Sequence, residues 1–282
     1  MSIKIVTDST CYIPQKLKDE YDISVVSLNV IMNDKSYREL ELKNEEFYIE
    51  MDKSNDIPTS SQPSMEESII IFTKLATEGH DIIGVFLSSD MSGTYSTMHL
   101  VKEMIKNDYP NVNIQIVDSK TNCMQMGYIA LQGARAAKQG KNMDEVLQII
   151  NETISKSRFL FVPDTLKYLK KGGRIGGASA LLGTILQIKP ILTVEDGKTT
   201  VFEKVRTKKK AVDTIINKVI CDVEANGVGE VIVHHINCEK EGNEIAIRLS
   251  EKLNIDVQVQ SIGPVIGLHV GPGSVGVAYY TK

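Results

Sequence analysis

Two short stretches of this chain crowd hydroxyl groups together. Residues 57–68, IPTSSQPSMEES, supply Thr59, Ser60 and Ser61, and residues 88–96, SSDMSGTYS, supply Ser88, Ser89, Ser92 and Thr94. Such residues serve as a nucleophile, as part of a phosphate cradle, or as neutral donors around an anion. A serine nucleophile needs a histidine base and an orienting carboxylate, and in α/β hydrolases it lies in G-x-S-x-G. Ser92 stands in D-M-S-G-T, without the first glycine. Five histidines, His80, His99, His234, His235 and His269, keep a distant base available, so a serine-dependent acyl hydrolase stays open as an alternative. None of them has metal-ligand spacing such as H-x-x-x-H.

A phosphate cradle has less support. No G-x-x-x-x-G-K-[ST] occurs, and GPGSVG at 271–276, which fits G-x-G-x-x-G, is followed by only six residues, 277 to 282, that read as a strand. Dinucleotide binding requires a helix N-terminus at that point, so the segment is expected to be a tight turn into a final strand. A protein that binds a small phosphate ligand stays open as a second alternative.

The third chemistry fits the pattern best. Both hydroxyl clusters are expected at helix entrances, the first announced by Ser64 and Glu67 in the S-x-x-E spacing of a capping box, the second lying between a strand end and a helix start. Free N–H groups, helix dipoles and neutral hydroxyls together favour an anion. Ordinary N-capping explains either stretch alone. Two such stretches, with VTDST at 6–10 at a third strand end, favour a shared site for a carboxylate or phosphate. His269 lies in GPVIGLHVGPG (263–273), where glycines permit close backbone approach, and could donate to the anion or hold a water that does.

The elements that must position these residues follow from hydrophobic pattern. Strands are expected at 3–8, 23–32, 81–89 and 111–119, with helices at 15–21, 64–77, 94–107, 123–139 and 143–156. This order predicts a mostly parallel sheet flanked by helices, with ligands beyond its carboxyl edge. Near residue 157 the texture turns richer in glycine and basic residues, so domains are expected at 1–157 and 158–282. The second, an α/β domain with a mixed sheet, has strands expected at 189–194, 199–206, 229–236, 256–261 and 275–281, a hairpin at Glu195-Asp196-Gly197, and helices at 208–225 and 239–253. ASALLGTILQI (178–188) is apolar nearly all round, which predicts a core helix and would also suit the wall of an apolar tunnel.

With 282 residues the chain is long enough for two cores. The 32 basic and 36 acidic residues give a net charge of −4, with no reason to expect nucleic acid. Scattered Cys11, Cys123, Cys221 and Cys238 argue against a zinc site or a disulfide framework. No apolar run approaches a membrane span and no signal-type start is visible, so a cytosolic protein without stable membrane insertion is expected.

The whole pattern resembles the DegV family of bacterial fatty-acid-binding proteins that serve fatty acid kinase. The matching segments are VTDST, PTSSQPS (58–64), SSDMSGTY (88–95), LKKGGRI (169–175), QIKPIL (187–192), VRTKKKA (205–211) and GPVIGLHVGPG. The resemblance implies a carrier rather than an enzyme, with one long-chain fatty acid such as palmitate held between two domains and no cofactor. It implies that Ser60 and Ser92 bond the carboxylate, with His269 joining them directly or through water. Thr59, Ser61, Gly93 and Thr94 would support that network, and Arg174 and Arg206 would meet phosphate or the partner, a separate kinase that makes acyl phosphate. Many relatives have threonine where Ser60 stands; serine keeps the donor and loses a methyl.

Overall fold

A computed structural model of the chain describes residues 2–54, 56–182 and 188–282. β1 (Ile3–Asp8) leads through a 3-10 turn at Ser9–Cys11 into α1 (Gln15–Tyr21). β2 (Ser24–Val26), β3 (Asn29–Met32) and β4 (Lys35–Arg38) follow, then a 3-10 turn at Glu39–Glu41, α2 (Asn44–Lys53) and β5 (Thr59–Ser61). Helix and strand then alternate through α3 (Met65–Thr77), β6 (Asp81–Phe86), α4 (Thr94–Asp108) and β7 (Ile114–Asp118), ending in the helix pair α5 (Cys123–Lys138) and α6 (Met143–Lys156). The second half comprises β8 (Ser157–Val162), α7 (Lys167–Lys171), β9 (Lys189–Glu195), β10 (Lys198–Val205), α8 (Lys208–Asn226), β11 (Val228–Ile236), α9 (Glu239–Leu253), β12 (Gln258–Ser261), α10 (Pro264–Val270) and β13 (Ser274–Thr281).

The fold is α/β. The first sheet, ordered β2-β1-β6-β7, is parallel throughout. Its central strands are buried on both faces, which is why they read as continuous apolar runs. The second sheet, β10-β9-β8-β13-β11-β12, is mixed: only β11 and β12 pair in parallel. The expected hairpin joins β9 to β10, with Asp196 and Gly197 both at positive φ, as a two-residue turn of this hand requires.

α5 lies between the sheets, against β1 on one side and β8 and β13 on the other. That position explains its burial in nearly every direction, through Met124, Met126, Tyr128, Ile129, Leu131 and Ala134. His234 pins it there: its Nδ1–H donates to the Gln260 carbonyl at 3.1 Å, and Nε2 accepts the Met124 N–H at 3.2 Å.

The chain departs from its sequence reading at several points. The strand expected at 23–32 breaks at Ser27 and Leu28. There the Ser27 N–H donates to the Glu67 carboxylate and the Leu28 N–H to the Ser9 hydroxyl, so the backbone leaves one ladder before joining another. β3 consequently belongs to a small antiparallel sheet, β4-β3-β5. Thr59, Ser60 and Ser61 lie in β5, a strand rather than a helix entrance. α3 begins beyond them, where Ser64 accepts the Glu67 N–H at 3.4 Å; the reciprocal half of the capping box is missing because the Glu67 carboxylate turns to Ser27 and Arg38. In place of the helix expected at 178–188, a 3-10 segment spans Gly176–Leu181, opening on two glycines that are poor helix formers; positions 183–187 lie outside the described residues.

Candidate functional site

A cavity of about 180 Å³ opens between the carboxyl ends of the first sheet and the second sheet, far more than the roughly 10–15 Å³ that one water needs. Its apolar wall includes Leu28 and Leu87 from the first half and Phe159, Phe161, Ile236 and Ile266 from the second. Phe159 and Phe161 lie two residues apart on β8, so they share a face, and their rings stack with centroids 5.1 Å apart. Polar groups border the cavity at Ser60, Ser61, Gln62, Ser92, His269 and Arg174.

Ser60 and His269 meet directly, Oγ to Nε2, at 2.9 Å. They are 209 residues apart and come from different elements: β5, aligned by its pairing with β3, and α10 of the second half. The imidazole is largely buried, and burial first, then the positive charge of Arg174, pushes its pKa down to about 4. His269 is therefore neutral at pH 7. Its Nδ1 has no hydrogen-bond partner, so the ring's single proton is best placed on Nε2, where Ser60 Oγ accepts it. That tautomer leaves the Ser60 hydroxyl proton free for a ligand. Gly172, at the end of α7, makes room for the ring: a Cβ there would lie 2.2 Å from Nδ1.

Ser92 occupies the loop entering α4. Its Oγ lies 2.9 Å from Thr94 Oγ1 and accepts the Thr94 N–H at 3.3 Å. Gly93, the N-cap of α4, supplies no capping side chain, so this helix start offers amide donors to an anion. A Cβ at Gly93 would stand 2.6 Å from Gln62 Oε1. Arg174 donates from Nε to the Met91 carbonyl at 3.0 Å and from Nη1 to the Gly172 carbonyl at 2.6 Å, which holds its guanidinium beside the cavity.

Ser60, Ser61, Ser92, Gly93, His269 and Arg174 thus border one cavity. Thr94 supports it through Ser92 without lining it. Thr59 is exposed on β5, and Arg206 is exposed in the bend between β10 and α8, away from the cavity lining. Sequence reasoning missed Gln62, whose Oε1 accepts the Thr97 hydroxyl at 3.0 Å, although it sits inside PTSSQPS. It also missed Gly172 and the Phe159–Phe161 wall, whose roles depend on contacts between the halves.

These contacts weigh against the hydrolase alternative. The hydroxyl of Ser92 bonds Thr94 rather than a histidine, while the histidine beside Ser60 has no carboxylate on Nδ1 and is too weak a base near neutral pH. The turn 271–273 enters β13 as expected, with Gly271 and Gly273 at positive φ. Among the described residues no helix is long and apolar enough to cross a membrane, and no cluster of three His, Cys, Asp or Glu could hold a metal.

An α/β chain with an apolar cavity between its two main sheets and a neutral hydroxyl–imidazole pair at the cavity's edge has the space and the donors to suit a small amphipathic molecule. Residues 2–282 match the family model described as uncharacterised protein, DegV family, and the chain belongs to that family. It is 49% identical over 282 residues to a DegV domain-containing protein of Clostridium acetobutylicum, covering 100% of this chain and 99% of that one. Among solved structures it is similar to DegV, a fatty acid binding protein from Bacillus subtilis, at 34% identity and a TM-score of 0.88, with both chains covered completely. It is also similar to a stearic acid-binding protein from Eubacterium ventriosum, at 25% identity and a TM-score of 0.91, covering 99% of this chain and 98% of that one.

Proposed function

We propose that this protein binds one long-chain fatty acid, such as palmitate, and presents it in the cytoplasm to a separate fatty acid kinase that forms acyl phosphate. The carboxylate is received by the hydroxyls of Ser60 and Ser92, with His269 behind Ser60, and the acyl chain fills the apolar cavity between two domains, 1–157 and 158–282. The reading rests chiefly on the Ser60–His269 pair at the edge of an apolar cavity; the fatty acids bound by structural relatives add to it.

Each buried methylene contributes about 0.8 kcal/mol, so the tail supplies most of the affinity. The head group needs its hydrogen bonds satisfied, because an unpartnered carboxylate out of water costs several kcal/mol. A neutral His269 passing a hydrogen bond through Ser60 does this without a tight cation on the carboxylate, leaving an oxygen able to attack the γ-phosphate of ATP in the kinase. Arg174, beside the cavity, and Arg206, exposed beyond it, serve as contacts for phosphate or for the kinase.

The test combines the Ser60→Ala/Ser92→Ala double variant with labelled palmitate, ATP and a fatty acid kinase. Retention of palmitate and yield of acyl phosphate should both fall at least tenfold. Unchanged retention and turnover would remove the two serines from the site.

A further inference from the structure

α10, which carries His269, is also joined to the first half of the chain about one helical turn from the site, away from the β5 strand that carries Ser60. α10 begins at Gly263-Pro264, and every N–H of its first turn can be accounted for. Pro264 has none, and Gly267 donates to the Gly263 carbonyl at 2.9 Å. The other two leave the helix: Val265 N–H donates to Glu39 Oε1 at 2.9 Å and Ile266 N–H to the Tyr12 hydroxyl at 3.3 Å. Both acceptors belong to the first half of the chain.

Glu39 is itself held. Its carboxylate accepts the Ser9 hydroxyl on Oε2 and the Tyr12 hydroxyl on Oε1, the latter at 3.0 Å, and the Ser9 oxygen accepts the Leu28 N–H at 3.0 Å. From α2, the Tyr48 hydroxyl donates to the Ile262 carbonyl at 2.9 Å. α10 packs so tightly here that a Cβ at Gly267 would fall 1.8 Å from the Tyr48 oxygen. A lone buried carboxylate is costly, and one that accepts three donors, one of them the first turn of a helix from the other half, specifies how that helix docks.

We infer that Glu39 is a positioning residue for the ligand site: by capping α10 from the first half of the chain it sets where His269, four residues beyond Val265, stands against Ser60. This inference rests on the carboxylate site proposed above. Ser9, Tyr12 and Glu39 act as one unit, and the residues they hold, Val265 and Ile266, themselves line the cavity.

The arrangement has a pH signature. Burial raises Glu39 to about 7, against the lowering effect of its bonds from Ser9, Val265 and Tyr12. The titratable groups coupled to it are Asp8 on β1, Cys11 and Tyr12 after it, Tyr48 on α2 and Cys123 on α5; none is cationic. Above pH 7 the ionised carboxylate accepts all three donors; below it, a proton on Oε2 faces Ser9 and Oε1 meets Val265 and Tyr12 only as the weaker acceptor of a neutral carboxyl, so the cap on α10 loosens.

The experiment follows the imidazole C–H resonance of His269, assigned with His269→Gln, from pH 5.5 to 8.5 in the full chain, together with the Kd for palmitate. In the wild type the resonance should inflect near pH 7, well above the titration of His269 itself. Glu39→Gln should abolish the inflection, displace the resonance and weaken palmitate binding roughly tenfold, whereas Val101→Ala, which opens a void on the buried face of α4, should destabilise the fold and leave the profile intact. An inflection that persists in Glu39→Gln, or affinity within twofold of wild type, overturns the inference. If Glu39→Gln does not fold, Tyr12→Phe takes its place and should also displace the resonance and weaken binding; an unmoved resonance, or failure of both variants to fold, overturns it. A wild type that takes up no palmitate would refute the proposed function instead, and the resonance would still report on Glu39.

Discussion

Replacing Gly172 by alanine isolates the contribution of His269 without replacing any residue proposed to receive the ligand. Gly172 has φ −75°, a conformation alanine adopts without strain, so the backbone has no reason to move. The new Cβ would lie 2.2 Å from His269 Nδ1, whereas ordinary contact begins near 3.4 Å. The ring must retreat by more than an ångström, enough to carry Nε2 out of the 2.9 Å bond to Ser60. Ser60 then keeps its hydroxyl but loses the donor that fixes its orientation and polarises it toward a carboxylate. Hydrogen bonds involving a charged group contribute about 1.5–3 kcal/mol, and losing about 1.4 kcal/mol of that corresponds to roughly tenfold in Kd. Overpacking costs roughly 1–3 kcal/mol, offset in part by the ~0.4–1 kcal/mol that Gly→Ala recovers from the unfolded chain. Calorimetric titration of delipidated protein with palmitate, beside a thermal melt, should show about tenfold weaker binding and only a modest change in unfolding temperature. Affinity within twofold of wild type would show that the Ser60–His269 contact does not serve the ligand.

Other outcomes follow from the same geometry. Arg206→Glu should lower the rate of the kinase reaction severalfold while leaving the palmitate Kd unchanged, because Arg206 is exposed away from the cavity lining; an equal fall in lipid binding would put its role in the pocket or the fold. Phe161→Ala should remove part of the apolar wall, enlarge the cavity and cost about 3–5 kcal/mol of stability, so its melt should fall steeply, and a melt like that of the wild type would contradict the packing described. His234, fully buried, has its pKa lowered to about 4 by burial. Its neutral form stabilises the fold above the unfolded value near 6.5, and that contribution is lost as pH falls from 6.5 toward 4, amounting to roughly 3 kcal/mol. Asp8 and Glu39, raised by burial to about 6 and about 7, act in the opposite sense, since their contribution is lost as pH rises through those values. Comparing the pH dependence of unfolding in wild type and His234→Gln separates the two; parallel curves between pH 6.5 and 4 would contradict the assignment.

The parallel core was legible because fully buried strands such as β1 and β6 carry unbroken apolar runs, and the helices between them show a clear amphipathic period. The hydroxyl cluster at Ser60 was expected at a helix entrance, whereas it lies in a strand. Its strand is three residues long and owes its existence to pairing with β3, which a local pattern cannot reveal. α10 escaped for a related reason: seven residues, nearly all buried, have no polar face to set a period, although Gly263-Pro264 is a helix-start signal. Ser27, which ends β2, looks like one polar residue in an apolar strand until Ser9 and Glu67 are placed beside it. Glu39 lies in a stretch, REL, with no signal of its own. Its importance comes from Val265, 226 residues away, and a single sequence does not display contacts of that range.

The most direct measurement is to denature the purified protein, extract it with organic solvent and identify what is released by mass spectrometry. The account predicts close to one long-chain fatty acid per chain, with occupancy much reduced in the Ser60→Ala/Ser92→Ala variant. An extract free of fatty acid, both as purified and after incubation with a mixture of long-chain acids, would contradict the claim that this cavity is an acyl site.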